Sequence, residues 1–195
     1  MSVVVEPHSP IWSTHFSTVK FQLENILRDA PVISIDHVGS TSIPGLPAKP
    51  VLDIDIIVSE ASLPLARAAL IAGGYTDLGD LGIAHRYAFR EPGRSVRDTA
   101  LGTHEDVKSE GIGMRMNTYV VLEGCLQLRN HLDVKRVLLE DEGLRREYGD
   151  TKLGLAAKDV HIEEYLHGKN EVVLKILRRA GWTDEELGVV KGENV

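Results

Sequence analysis

Cysteine is almost missing from this chain: Cys125 stands alone. That excludes a disulfide framework and a cysteine-based zinc cluster, and it suits a reducing compartment. Long apolar runs are missing too. None approaches the roughly 20 residues of a membrane span, and the opening MSVVVEPHSP has neither the basic start nor the apolar core of a signal peptide. The expectation is a cytoplasmic protein with no membrane partner. Positive charge is in deficit, with 22 Lys and Arg against 29 Asp and Glu for a formal charge of −7. Long-range attraction to a nucleic-acid backbone is therefore not expected, and small substrates are favoured over polymers. Internal repeats, low-complexity tracts and long Gly/Ser linkers are also lacking, which argues against separable domains.

What is present is a chain of 195 residues, long enough for one sizeable core. Trp12, Phe16, Val19, Leu23, Ile26 and Leu27 recur at helical spacing, with Ser9 as the expected N-cap and Pro10 at the first helical position. Alternation predicts strands over 32–38 and 51–58, then a helix over 61–72 ended by Gly73 and Gly74. Short strands follow at 75–78 and 85–90, a charged aperiodic loop at 91–113, and a strand at 114–122. From 123 onward the pattern is helical throughout. The fold class expected is α+β, a mixed sheet with packed helices and a helical C-terminal third. Residues 1–122 form the α/β core and 123–195 a helical region packed on it as one compact unit.

The stretch HVGSTSIPGLPAKPVLDIDIIV carries two carboxylates inside aliphatic β-formers. Side chains two apart on a strand share a face about 6.6 Å apart along the backbone, so Asp53 and Asp55 lie together while Leu52, Ile54 and Ile56 face the core. Two carboxylates that close repel unless positive charge sits between them. A divalent cation supplies it: Mg²⁺, or Mn²⁺ in its place, takes one or two carboxylates and leaves its other positions to water and phosphates. Upstream, Gly39-Ser40-Thr41-Ser42 offers backbone N–H groups and hydroxyls for phosphate oxygens. Alone, such a run is only a tight turn.

Gly39-Ser40 followed by Asp53-Ile54-Asp55 is similar to the signature of polymerase-beta-type nucleotidyltransferases, and the string from His37 to Val58 resembles the GrpB family within that superfamily. SPIWSTHF, GIAHRYAFRE and the segments 128–155 and 165–169 extend the resemblance over most of the chain. It implies a nucleotidyltransferase-like core, with Asp53 and Asp55 holding Mg²⁺ and, if active, transfer of a nucleoside monophosphate to a small acceptor. Members are sometimes attached to a dephospho-coenzyme A kinase, so the alternative is a non-catalytic domain binding a nucleotide or a coenzyme A-related ligand. Active enzymes of this class usually carry a third carboxylate on a later strand. MRMNTYVV has none there, leaving Asn117 or Tyr119 in the position.

The expected phosphate contacts are Gly39, Ser40, Thr41, Ser42 and Lys49, with Arg86, Arg90 and Arg115 from later strands. Lys49 equally suits covering apolar surface with its stem, and the arginines equally suit ion pairs. His37 and Cys125 read as core residues rather than ligand or nucleophile, and 140–142 as a charged helix junction. Substituting Asn for both aspartates is expected to abolish cation binding and leave the metal-free stability unchanged or higher. A purely structural interaction module would need neither metal nor nucleotide.

Overall fold

The computed structural model describes residues 3–94, 114–158 and 160–193. Helix α1 (Ile11–Ile26) leads into β1 (Ser34–Val38), a one-turn 3₁₀ helix (Ser40–Ser42) and β2 (Val51–Val58). Then come α2 (Leu63–Ala72), β3 (Thr76–Asp77), β4 (Arg86–Arg90) and β5 (Arg115–Leu122). The helices α3 (Leu126–Glu140), α4 (Glu142–Ala157), α5 (Ile162–Gly168), α6 (Asn170–Arg179) and α7 (Asp184–Glu193) complete the order. The class is the α+β arrangement expected, a mixed sheet with packed helices and a helical C-terminal third.

The sheet runs β1-β2-β5-β4-β3, with β2 and β5 parallel and the other neighbours antiparallel. Strand alternation decides what each face does. Leu52, Ile54 and Ile56 are fully buried against Trp12, Val19 and Leu23 of α1 and Ala66 and Leu70 of α2. At one end of the opposite face Ile57 and Val121 meet Leu128 of α3. Its other end carries the polar side chains of β2 and β5. Ile43 and Leu46, just after the 3₁₀ turn, pack with Leu138, Tyr148 and Ile176, tying the helical region to this end of the sheet.

Boundaries shift where local chemistry competes. Pro10, not Ser9, is the N-cap of α1, and the Ser9 carbonyl accepts from the Trp12 N–H. β1 begins at Ser34 rather than 32, and α2 at Leu63 rather than 61. The expected loop at 91–113 falls largely outside the described residues. Cys125 caps α3, its sulfur accepting from the Leu128 N–H at 3.5 Å. Asp141 is the hinge residue between α3 and α4, accepting from the Leu144 N–H at 2.9 Å. Asp141→Ala is expected to cost about 1 kcal/mol, the usual value of a lost N-cap, read as a lower denaturant midpoint. An unchanged midpoint means that the cap contributes nothing. Among the described residues, no helix is long and apolar enough to cross a membrane.

Candidate functional site

The site begins where β1 ends. Gly39 has φ 68 and ψ −175, a region essentially reserved for glycine. A Cβ there would stand 2.1 Å from Asp53 Oδ2, so the bare Cα passes directly over that carboxylate. The turn then folds onto itself. The Ser42 hydroxyl donates to the Gly39 carbonyl at 2.7 Å, and the Thr41 hydroxyl donates to the Val51 carbonyl at 2.9 Å. Of the four residues expected to cradle phosphate, Gly39, Ser40 and Thr41 line a cleft, whereas the Ser42 hydroxyl is spent inside the turn. His37, stacked 4.8 Å from Phe16 and 3.0 Å from the Thr41 hydroxyl, is a packed residue. Burial and the nearby Lys135 hold its imidazole down at about 4, hence neutral.

On the sheet floor, the parallel register sets Asp53 opposite Asn117 and Asp55 opposite Tyr119. The Asn117 amide donates to Asp53 Oδ1 at 2.7 Å. Asp55 is fully buried, its Oδ2 lying 2.7 Å from His131 Nδ1 on α3, while its Oδ1 has no hydrogen-bond partner. Burial raises the Asp53 carboxyl above its usual range despite Asn117. Burial alone would lower His131, yet the Asp55 carboxylate outweighs it and the imidazole is raised. The two aspartates are therefore not simply a repelling pair. Each has its own partner, which argues against the expectation that replacing both leaves metal-free stability unchanged or higher.

The facing wall comes from the helical region. Tyr148 and Lys152 project from α4, Tyr165 from α5, and Lys169 follows it. Tyr148 is hydrogen-bonded to Ser40. Lys152 is only 1% exposed, and its ammonium makes no hydrogen bond and lies 4.5 Å from the Tyr148 ring centre. The Nζ atoms of Lys49 and Lys169 sit 5.4 and 4.9 Å from the Tyr165 ring centre. Burial, then Lys169, pushes Lys152 down to about 7, and the same two causes bring Lys49 to about 8. Lys169 falls to about 8 by burial. Arg86, Arg90 and Arg115 also border the cleft, Arg86 lying 4.5 Å over the Tyr119 ring.

The cleft has a volume of about 540 Å³, within the range of small-molecule sites. Among the described residues, no group of three or more His, Cys, Asp or Glu side chains is placed to hold a metal. By donor chemistry the two carboxylates nonetheless suit one Mg²⁺ or Mn²⁺, with Asp53 bordering the cleft and Asp55 buried behind it. Such an ion takes one or two acidic ligands and completes its shell with water and phosphate, and the buried Asp55 Oδ1 lacks any other partner.

Sequence reasoning missed His131, Tyr148, Lys152, Tyr165 and Lys169 as site residues. One signal was available: Leu144, Tyr148 and Lys152 repeat every four residues, which puts a lysine on the buried stripe of α4.

The family model described as GrpB protein matches residues 2–179. UPF0157 protein PA4798 of Pseudomonas aeruginosa is 29% identical over 197 residues, covering 98% of this chain and 74% of its own length. UPF0157 protein YqkA of Bacillus subtilis is 30% identical over 162 residues, or 82% of this chain and 42% of its own length. The crystal structure of conserved protein GrpB from Enterococcus faecalis aligns with a TM-score of 0.69 at 22% identity, covering 92% of this chain and all (100%) of that one. A fold shared across that structure's whole length and a family match spanning sheet, cleft and helical wall lead to one assignment: the chain belongs to the GrpB family.

Proposed function

We propose that the cleft binds a nucleoside triphosphate with one divalent cation, Mg²⁺ or Mn²⁺, and transfers nucleoside monophosphate to generic acceptors slowly or not at all. One observation carries this reading. Asp53, on the sheet floor, lines the same cleft as Lys49, just before β2, and Lys152 and Lys169 of the helical wall, and Lys152 is buried without a hydrogen bond. An acidic floor under a cationic wall suits a ligand that brings both phosphate charge and a metal. Gly39 lets the turn close down on Asp53 at the edge of the cleft, Ser40 offers a hydroxyl there, and Arg86 and Arg115 add charge at the rim. The cation, held by Asp53 and Asp55, would neutralise phosphate charge and orient the phosphate oxygens.

Slow transfer follows from Asn117. Its amide donates to Asp53 and cannot take a proton from an acceptor hydroxyl, so the base help that contributes typically about 10²–10⁴-fold is missing at that position. A non-catalytic domain for a nucleotide or a coenzyme A-related ligand is the second reading, and Asn117 favours it over fast catalysis. A thermal-shift series with nucleotides, coenzyme A precursors and Mg²⁺, followed by pyrophosphate detection, tests both. Ligand at about 100 times its Kd adds roughly 2.7 kcal/mol, which at about 2–4 °C per kcal/mol gives a rise of about 5–10 °C. The expected result is that rise without pyrophosphate above background. Rapid pyrophosphate release that vanishes in Asp53→Asn would establish a transferase, and no shift with any ligand would remove the nucleotide reading.

A further inference from the structure

We infer that Lys49, Lys152 and Lys169 form a metal-independent subsite for a linear phosphoanhydride of two or more phosphates, so that the cleft selects its ligand by the length of its phosphate tail. This deepens the proposed function and rests on it for placing a phosphate ligand in this cleft. The three ammonium groups come from separate parts of the chain: the segment before β2, the middle of α4, and the turn between α5 and α6. None of them has a carboxylate within ion-pair distance among the described residues, and their described contacts are with the Tyr148 and Tyr165 rings. Those tyrosines provide no countercharge. Burial raises both phenols, Tyr148 despite its bond to Ser40, so they stay neutral. The charge balancing the trio is Asp53, which is already engaged by Asn117.

A like-charged cluster held away from water is costly unless an anion completes it. Lys152 makes the case most sharply, being buried with no hydrogen bond. A monophosphate is a compact anion that engages one or two ammonium groups, whereas a phosphoanhydride chain distributes its charge along the wall and can meet all three. A proton signature follows. The groups facing Lys152 are Lys169, Asp53 and the Tyr148 ring, and those facing Lys49 are Lys169, Asp53, Arg115 and the Tyr165 ring; Lys169 faces Asp53 and Tyr165. With lysines at about 7, 8 and 8, the empty cleft is partly deprotonated near pH 7.5, and an anion draws protons onto it.

The test is calorimetric titration of inorganic tripolyphosphate in the presence of EDTA, in two buffers of different ionisation enthalpy. Wild type is expected to bind it metal-free, to take up protons on binding, and to bind phosphate alone at least tenfold more weakly. Lys152→Met should lose at least tenfold in affinity, while the exposed Lys158→Met should match wild type. The full chain's melting curve guards against misfolding, and its pH dependence has a definite sign. Lys152 falls from 10.5 unfolded to about 7 folded, so its burial penalty is complete below pH 7 and lifts as pH rises toward 10.5. The stability gained in Lys152→Met should accordingly be largest at low pH. If that variant does not fold, Lys49→Met with Lys169→Met carries the same test. No metal-free binding by wild type, or equal affinity in the lysine variants, overturns the subsite. Asp53→Asn separates the two claims: metal-free tripolyphosphate binding intact while Mg²⁺ has no effect on nucleotide binding in any variant would overturn the metal reading alone.

Discussion

Gly39→Ala is expected to destabilise the protein by about 3 kcal/mol or more and to abolish nucleotide binding. Two separate costs meet at this residue. Its backbone lies in a region essentially closed to L side chains, which costs on the order of 1–3 kcal/mol. The added methyl would also stand 2.1 Å from Asp53 Oδ2, closer than any real contact allows, so the carboxylate or the turn must move. A double-mutant cycle separates them. Asp53→Ala in the same background should recover the steric part and leave the backbone part, with a coupling above about 1 kcal/mol. Additive effects would mean that the turn does not sit on the carboxylate.

Asp55→Ala should be the more destructive of the two aspartate substitutions. Removing one member of a buried ion pair costs about 3–5 kcal/mol, because the remaining charge loses its partner. Here the partner is His131, raised by that carboxylate and 2.7 Å from it. At about 2–4 °C per kcal/mol, the melting temperature in EDTA should fall by roughly 10 °C. Asp53→Asn should do much less, since Asp53 borders the cleft and its Asn117 partner can reorient to meet an amide. Equal melting temperatures for the two variants would contradict the larger structural share given to the buried Asp55–His131 pair.

Local pattern revealed the sheet side of this site and concealed the helical side. β2 runs over Val51–Val58 as read, because an eight-residue alternation with Leu52, Ile54 and Ile56 facing inward has one register that buries the apolar set. The carboxylate pair and the glycine turn lie within that same short stretch. His131, Lys152 and Lys169 lie on later elements, and periodicity reports which stripe of a helix is covered, not what covers it. Ser42 lies outside the cleft lining for a different reason. In a one-turn 3₁₀ helix, a serine hydroxyl readily satisfies a nearby backbone carbonyl, which removes it from any ligand. Asn117 was named as a candidate for the third-acid position, yet only the β2–β5 register pairs it with Asp53 rather than Asp55.

The central claim is that a nucleoside triphosphate and a divalent cation meet on Asp53 beneath the lysine wall. Calorimetric titration of ATP with Mg²⁺, into wild type and Asp53→Asn, tests it most directly. The account predicts saturable binding to wild type that weakens at least tenfold, about 1.4 kcal/mol, in Asp53→Asn and in wild type treated with EDTA. Equal affinity in wild type and Asp53→Asn, or no binding to wild type at millimolar nucleotide, would contradict it.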